Sequence, residues 1–466
     1  MRTKLQQAGL ILIGLLAGVF ISLNFSANAQ KEATALPIEE LRSFADVFNA
    51  IKTGYVEPVE DKKLITQAIS GMLTGLDPHS QYLDADAFKD LQVNTHGEFG
   101  GLGIEVGMED GFVKVISPIE DTPAYRAGIK AGDLIVKLDD TPVKGMTLTD
   151  AVKRMRGKPK PQITLTIVRK GENKPIVVTI TREVIKVQSV KSKVIEPGFA
   201  YVRLTQFQED TANKLVEHLN KLWKQGPVKG LVLDLRNDPG GLLHGAIGVS
   251  AAFLPPKTLV TSTDGRTEDA KRKYVASPED YLRGSRTDFL KDLPADAKTV
   301  PMVVLVNGGS ASASEIVAGA LQDHKRALIM GTQTFGKGSV QTILPLTANT
   351  AIKLTTARYY TPNGRSIQAK GIVPDIVVEE TANGGSGPRL READLDRHLE
   401  NDKEKDKEAA PPPAKPQTKA PAPKGKPAKD EPEEEEKPRF EIASKSDYQL
   451  SQAVNLLKGL QIMRAK

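Results

Sequence analysis

Two segments of the sequence carry hydroxyl and amine groups in an arrangement that could do covalent chemistry. The first is the run 310–314, in which three serines alternate with alanine between an apolar stretch and a predicted helix. The second is Gly336-Lys337-Gly338, where two glycines leave a lysine with little side-chain cover. A serine nucleophile needs a base, and burial lowers the pKa of a lysine towards the range where it serves as one. A serine–lysine pair is a known alternative to the triad that uses histidine.

The serine run also has a purely structural interpretation. Ser312 and Glu315 have the spacing of a capping box, in which the serine caps a helix and the glutamate returns the bond. Because such caps are common, the three serines taken alone, without any other motif, favour this interpretation. A hydroxyl at a strand-to-helix turn also lies beside free helix N–H groups, which stabilise a developing oxyanion.

The lysine segment resembles a phosphate-binding loop in part. Residues 331–337 match G-x-x-x-x-G-K, but Gly338 follows where a serine or threonine would bind magnesium. Residues 340–346 then have the pattern of a strand, whereas a phosphate-binding loop opens a helix. We therefore exclude a nucleotide hydrolase.

Composition narrows the chemistry further. The 466 residues include 64 Lys+Arg and 58 Asp+Glu, a formal net charge of +6, which is too small and too dispersed to predict nucleic-acid binding. The chain has no cysteine, which excludes disulfides, thiolate metal sites and a cysteine nucleophile. Its 6 histidines form no HxxxH pair. We predict neither a metal nor a cofactor.

The N-terminus has the pattern of an export signal. Arg2 and Lys4 precede an apolar run at 8–23, and Ala27-Asn28-Ala29 has the form of a cleavage site. The run is shorter than the roughly 20 residues that comfortably span a bilayer, so we predict a signal peptide at 1–29. The expected location is periplasmic or otherwise extracytoplasmic, and an uncleaved signal would hold the protein at the inner membrane.

Composition divides the rest of the chain into five regions. We predict helices at 32–95, a β-rich domain at 97–184, an α/β core at 185–395, a disordered Pro/Lys/Glu-rich linker at 396–438 and an amphipathic helix at 439–466. The apolar runs 231–235 and 302–306 are typical of strands buried on both faces. The predicted fold class is multidomain α/β: a mixed-sheet core, an inserted β-rich domain and helical termini. The last helix must dock on the same protein or on a second subunit.

Four motifs, in this order, resemble those of the carboxyl-terminal processing (tail-specific) proteases. The resemblance covers nearly all of residues 32–378, and four motifs in order are far more specific than each alone. The motifs are Leu76-Asp77-Pro78-His79-Ser80-x-Tyr82-Leu83, Leu235-Arg236-Asn237-x-Pro239-Gly240-Gly241, the run 310–316, and Phe335-Gly336-Lys337-Gly338-x-Val340-Gln341.

The resemblance implies a serine endopeptidase with a Ser–Lys dyad. It places the nucleophile at Ser312, the base at Lys337 and a residue that orients the lysine at Gln341. The oxyanion hole would be formed by backbone N–H groups of Ala313 and of Gly240 or Gly241. The chain departs from the family at Asp238, where Asn is frequent, and His244 is an unusual neighbour of the glycine loop.

The block 97–184 is similar to a PDZ domain of the bacterial, permuted kind. The resemblance implies that Gly101, Leu102, Gly103 and Ile104 bind the carboxylate of a peptide that adds to the sheet edge. It also implies that Arg156 couples this domain to the catalytic site. Lys160-Pro161 replaces the Gly-Thr that usually follows, which weakens that assignment.

The resemblance further implies the partners. The substrates would be proteins with apolar C-terminal tails, and the chain would form a homo-oligomer through its N- and C-terminal helices. An activating lipoprotein or adaptor is a further implied partner. Two alternatives stay open: a PDZ scaffold with an inactive hydrolase domain, and a Ser–Lys hydrolase of cell-wall peptides.

Overall fold

The computed structural model describes residues 36–119, 121–284, 287–382, 390–403, 443–444 and 446–464. The predicted signal peptide at 1–29 lies outside the described residues, as does the predicted linker from 404 to 438. The chain divides into two compact units, Met1–Gly71 and Met72–Lys466.

The first unit contains helix α1 (Ile38–Gly54) and most of helix α2 (Asp61–Thr74). The helices predicted over 32–95 are interrupted between Gly54 and Asp61. Apolar residues recur along α1 at helical spacing, yet no residue of α1 is buried. The exposed apolar side chains of this face are Leu41, Phe44, Val47 and Ile51.

The second unit holds the remaining elements. In chain order these are β1 (Gln81–Leu83), α3 (Ala85–His96), β2 (Glu98–Gly101), β3 (Ile104–Glu109), β4 (Phe112–Pro118), α4 (Pro123–Arg126), β5 (Leu134–Leu138), β6 (Thr141–Pro142), α5 (Leu148–Met155), β7 (Gln162–Val168), β8 (Ile176–Thr181), β9 (Glu183–Lys186), β10 (Val190–Glu196), β11 (Phe199–Leu204), α6 (Thr211–Lys224), β12 (Gly230–Asp234), α7 (Leu243–Phe253), β13 (Leu259–Gly265), β14 (Arg272–Val275), α8 (Pro278–Tyr281), β15 (Met302–Val306), α9 (Ala313–Asp323), β16 (Leu328–Gly331), β17 (Ser339–Pro345), β18 (Ala351–Tyr360), β19 (Ile376–Val377) and α10 (Tyr448–Arg464).

The β-rich domain is built on one antiparallel sheet in the order β3-β4-β5-β7-β8, with β6 beside β5. Strand β7 illustrates the pattern of this sheet: its buried residues alternate with exposed or partly exposed ones, as expected of a strand with one face in a core. Strand β3 forms an edge of this sheet, and helix α5 contributes Ala151 and Met155 to the same core. The short pair β2–β9 joins the two ends of the domain.

The central sheet of the α/β core has the order β10-β11-β12-β15-β16-β19. It is mixed, because β10 is antiparallel to β11 and all other pairs are parallel. Leu233 and Val304 pack in the cluster with α6, α7 and α9, and Val232 and Val303 pack with α10. Helices on both faces explain the continuous apolar strands. The predicted multidomain α/β fold class is confirmed.

A second sheet lies beside the core, in the order β1-β18-β13-β14, with β17 also paired to β18. Strand β1 pairs in antiparallel fashion with β18, so the last residues of the first sequence motif join this sheet. Strand β17 begins two residues after Lys337, which fixes where the loop that carries this lysine ends.

The first residues of the predicted linker are packed on the core. Asn401 is buried, and its amide donates hydrogen bonds to the backbone oxygens of Ser366 and Gln368. Tyr360 donates its hydroxyl to Asp402 at 2.6 Å. The ordered core therefore reaches at least 403, eight residues into the predicted linker.

Helix α10 docks on its own core. Leu450, Ala453, Val454 and Leu457 are buried against β11, β12 and β15, while Tyr448 and Leu460 are only partly buried. The helix thus docks through a face that includes Val454. This face is occupied within the chain, which removes it as the C-terminal contact predicted between subunits.

None of the helices in the described residues is both long and apolar enough to cross a membrane.

We expect Leu457→Ala to lower the free energy of unfolding by about 2–5 kcal/mol, because the side chain is completely buried between α10 and the sheet. Urea unfolding followed by circular dichroism measures the change. The matched control is Met463→Ala on the exposed end of α10, which should change stability by less than about 0.5 kcal/mol. Equal effects of the two substitutions would show that the helix does not dock as described.

Candidate active site

The three serines of the run 310–314 have different surroundings. Ser310 is fully buried, and its hydroxyl donates to Leu235 O at 2.8 Å and accepts from Asn307 N at 3.0 Å. Ser314 is also fully buried and donates its hydroxyl to Asp238 O at 3.0 Å. Ser312 is partly exposed. The outer two serines fasten the turn to the glycine loop, and the middle hydroxyl is the one that reaches solvent.

Ser312 lies in a strained turn between β15 and α9. Its φ of 53° and ψ of −109° fall in a region that non-glycine residues rarely adopt. Ala313 begins α9, and its N–H group donates no hydrogen bond within the described part of the chain. The serine hydroxyl therefore emerges beside a free helix N-terminus, where negative charge is stabilised.

The glycine loop lies directly against this turn. Gly240 has a φ of +96°, and a Cβ atom on this residue would lie 2.8 Å from Ala313 N and 2.9 Å from the Ser312 Cβ atom. Gly240 donates its N–H to Asp238 Oδ1 at 2.8 Å. Gly241 N–H donates no hydrogen bond in the described chain. Of the two candidate glycine amides, only that of Gly241 is unengaged in this conformation.

One buried carboxylate joins the serine turn to the lysine loop. Glu315 Oε2 accepts the backbone N–H of Ser312 at 2.8 Å and that of Lys337 at 2.9 Å. Its Oε1 accepts Thr334 Oγ1 at 2.6 Å and Gly336 N at 2.7 Å. The sequence identified Glu315 only as the partner in a capping box. The structure adds that the same carboxylate holds the loop 334–337, which only the folded chain brings near.

Burial raises the pKa of Glu315 to about 7, against the four hydrogen bonds that favour its charged form. The group is completely enclosed, so a loss of these donors would leave a carboxylate without partners.

Lys337 lies in the loop between β16 and β17. The loop is fixed by Phe335 N–H, which donates to Ser310 O at 3.0 Å, and by Gly338 N–H, which donates to Gln368 Oε1 at 3.1 Å. Desolvation and, next, the charge of Lys353 lower the pKa of Lys337 to about 8. Acidic groups that oppose this shift are Glu392, Glu315 and Asp77. With this pKa roughly one tenth of the lysine is neutral at pH 7 and about half at pH 8.

The structure does not join the dyad by a hydrogen bond. Within the described residues, Lys337 Nζ donates neither to Ser312 Oγ nor to Gln341. Gln341 instead donates its amide to Ser339 Oγ at 2.9 Å and to Thr355 Oγ1 at 3.3 Å. The predicted groups are therefore on adjoining loops, and their side chains must still move to act together.

The first sequence motif reaches the surroundings of the lysine. Asp77 accepts the hydroxyl of Ser80 at 2.6 Å and that of Thr355 at 3.1 Å. His79 Nε2 lies 2.8 Å from Glu392 Oε2, and Glu392 is completely buried. Sequence reasoning missed Glu392, Gln368 and Lys353, since no local pattern marks them.

The predicted carboxylate loop connects β2 to the edge strand β3. Leu102 is buried, and its carbonyl accepts from Ala124 N at 3.0 Å. Gly101 ends β2, Ile104 begins β3, and Gly103 has a φ of +80° with its Cα pressed against Thr122. The N–H groups of Leu102 and Gly103 donate no hydrogen bonds in the described chain.

Arg156 contacts α3 rather than the catalytic loops. Its guanidinium lies 3.1 Å from Asp90 Oδ1 and 4.9 Å from the ring centre of Phe99. The far end of α3 reaches the core, where Glu209 N–H donates to Thr95 O at 3.1 Å. The structure thus gives Arg156 an indirect connection through α3, and no direct contact with Ser312 or Lys337 is found in the described residues.

The described residues contain no group of three or more His, Asp and Glu side chains placed to hold a metal ion.

Comparison with known proteins gives consistent matches along the chain. Residues 198–378 match Peptidase family S41, residues 100–180 match the PDZ domain, and residues 21–87 match the Activating protease CtpB N-terminal domain. The chain is similar to a carboxy-terminal-processing protease of Bartonella bacilliformis, with 49% identity over 84% of this chain and 88% of that protein.

Two further relatives are more distant. The carboxy-terminal processing protease CtpA of Bacillus subtilis is 35% identical over 78% of this chain and 73% of its own. A solved structure of a photosystem II D1 C-terminal processing protease is 31% identical, covers 72% of this chain and 92% of its own, and superposes with a TM-score of 0.41. The sequence resemblance to this family of peptidases with a PDZ domain is confirmed.

We expect substitutions of Glu315 to destabilise the protein in a set order. In Glu315→Gln an amide nitrogen must face at least one buried N–H, at a cost of about 1–3 kcal/mol, whereas Glu315→Ala leaves all four donors unpaired and costs more. Urea unfolding at pH 8 measures both. Glu57→Gln, on an exposed side chain, is the control and should be neutral within about 0.5 kcal/mol. An alanine variant as stable as the glutamine variant would contradict the bridging role.

Proposed function

Because the chain belongs to the carboxy-terminal processing proteases of peptidase family S41, we propose that it is an exported serine endopeptidase that binds the free C-terminus of a protein through its PDZ domain and cleaves near that end with a Ser312–Lys337 dyad. The observation that carries this proposal is the Glu315 carboxylate, which holds the backbone N–H of Ser312 and of Lys337 on one oxygen. A glutamate that served only as a helix cap would have no need of the second loop.

The chemistry follows from these positions. Neutral Lys337 takes the proton of the Ser312 hydroxyl as the oxygen attacks the scissile carbonyl. The oxyanion is received by the N–H of Ala313 and that of Gly241, with Gly240 as the alternative donor. Lys337 then protonates the leaving amine, and a water molecule hydrolyses the ester on Ser312. No metal or cofactor takes part in this scheme.

A conformational step precedes the chemistry. Lys337 and Ser312 are not hydrogen-bonded in this conformation, and Gln341 is engaged by Ser339 and Thr355. Release of Gln341 would let its amide orient Lys337 towards the serine. Substrate binding provides the free energy for this alignment, as in other enzymes whose site is completed by closure.

The PDZ domain is suited to a C-terminal tail. Strand β3 is a sheet edge to which an extended peptide can add by main-chain hydrogen bonds. The unengaged N–H groups of Leu102 and Gly103 lie at its start and can receive a carboxylate. Ile104 and Val106 on β3 and Val152 on α5 are partly buried around the same core, which favours an apolar last side chain.

Location and assembly complete the proposal. The signal pattern at 1–29 supports an extracytoplasmic protein. The exposed apolar face of α1 supports a homo-oligomer through the N-terminal helices. An activating lipoprotein or adaptor would act on the alignment step.

We expect wild-type enzyme to shorten a test protein that carries an apolar C-terminal tail, and Ser312→Ala and Lys337→Ala to lose this activity by at least about 1,000-fold. Mass spectrometry of the intact test protein identifies the cut. Because the pKa of Lys337 is lowered to about 8, the neutral base increases with pH, so kcat/KM should rise from pH 6 to pH 8. Tail binding with no cleavage by wild type would support the inactive scaffold instead.

We expect tail recognition to depend on the terminal carboxylate. With the Ser312→Ala protein, fluorescence anisotropy should give at least about 10-fold weaker binding for an amidated tail peptide than for the free acid, since a neutral amide loses charge-assisted bonds to the loop. Val106→Asp on the edge strand should weaken binding of the free-acid peptide. Val177→Asp, on the exposed face of β8, serves as the control and should leave this binding unchanged. Equal affinity for both peptides would argue against C-terminal recognition.

A further inference from the structure

A buried carboxyl group that the proposed mechanism does not use lies beside the oxyanion site. Asp238 is completely buried in the glycine loop, between Asn237 and Pro239. Its Oδ1 accepts the N–H of Gly240, and its Oδ2 has no hydrogen-bond partner among the described residues. A charged carboxylate would be costly here, since in that part of the chain one oxygen lacks a donor and neither oxygen forms an ion pair.

The backbone of the same residue fastens the loop to the serine turn. Asp238 O accepts Ala311 N–H at 3.0 Å and the Ser314 hydroxyl at 3.0 Å. Together with the bond from Gly240, these contacts set the distance between the glycine amides and Ser312. Asp238 is therefore placed to influence the oxyanion site both by position and by charge.

The charged groups around Asp238 do not compensate an ionised form. From β11, Arg203 lies 3.2 Å from Asp234 Oδ2, so its charge is shared with that carboxylate. From β12, Asp234 repels a second negative charge. The Ser314 hydroxyl on α9 and the charge of Arg203 lower the pKa of Asp238, but burial outweighs both. Burial, the largest cause, raises the pKa of Asp238 to about 8.

We propose that Asp238 is a positioning residue of the glycine loop that must be uncharged for turnover, so that its ionisation sets the upper pH limit of the reaction. This inference rests on the proposed function. An ionised Asp238 places negative charge on the N–H of Gly240, the residue before Gly241, close to where the substrate oxygen itself becomes negative. Like charges this close in a dry site oppose the transition state.

The expected pH profile of kcat/KM is a bell. Since Lys337 must be neutral and has a pKa of about 8, and Asp238 must be neutral with the same value, the active fraction peaks near pH 8 at about one quarter. At pH 9.5 it falls to roughly 3%. In Asp238→Asn the amide oxygen still accepts the Gly240 N–H, so only the rising limb should remain. At pH 9.5 this variant should exceed wild type by about 30-fold.

The test measures cleavage of the tailed protein between pH 6 and pH 10 by wild type, by Asp238→Asn and by Asp269→Asn, which makes the same change on an exposed side chain. Loss of the alkaline fall in Asp238→Asn alone supports the inference. An unchanged alkaline fall overturns it. So does a folded Asp238→Asn enzyme without activity at any pH, because asparagine keeps the acceptor.

A thermal series tests the neutral carboxyl without any turnover. A buried carboxyl whose pKa is higher in the folded than in the unfolded protein makes the protein less stable as the pH rises. For Asp238 this loss extends from its ordinary pKa of 3.8 to its folded pKa of about 8. The Tm of Asp238→Asn should thus increasingly exceed that of wild type from pH 4 to pH 8 and keep a constant lead above it. A Tm difference that is independent of pH overturns the inference. Absence of cleavage by wild type would refute the proposed function, and this series would still decide the state of Asp238.

Discussion

The arrangement of the candidate active site depends on a single buried carboxylate. Glu315 accepts hydrogen bonds from Ser312, Thr334, Gly336 and Lys337, and so fixes the serine turn relative to the lysine loop. The two loops are carried by neighbouring parallel strands, β15 and β16, whose carboxyl ends meet at one edge of the sheet. The strands bring the two loops near each other, and the Glu315 carboxylate fixes their relative position by hydrogen bonds to both. Desolvation is the largest cause of the lowered pKa of Lys337 in the second of these loops.

Local patterns predicted much of this architecture. The buried strands, the helix after Ser312 and the strand after Lys337 follow from apolar runs, capping spacing and glycine turns, all of which act over a few residues. The surface on which α10 docks could not be predicted, because the sequence shows an apolar face but not whether its partner is the same chain or a second subunit. The packing of Asn401 was missed for a related reason, since polar residues near a charged segment resemble a linker until their acceptors are seen.

The candidate site was predictable only as a set of positions. Motif order supplied Ser312 and Lys337, but the engagement of Gly240 by Asp238 and of Gln341 by Ser339 depends on side-chain placement. Arg156 illustrates the same limit, since its partner Asp90 lies 66 residues away on α3. From Arg156 a series of contacts passes along α3 to Glu209 and Phe207, and Phe207 N–H donates to Gly240 O. This route joins the PDZ domain to the glycine loop through packed elements.

The proposed dyad requires Ser312 as nucleophile and Lys337 as its base. Labelling with a fluorophosphonate, followed by peptide mapping in a mass spectrometer, tests this pairing without any knowledge of the natural substrate. We expect one adduct, on Ser312, formed at a rate that rises from pH 6 to pH 8 as Lys337 loses its proton and that is lost in Lys337→Ala. An adduct on Ser310 or Ser314, or labelling of Ser312 at an unchanged rate without Lys337, would contradict it.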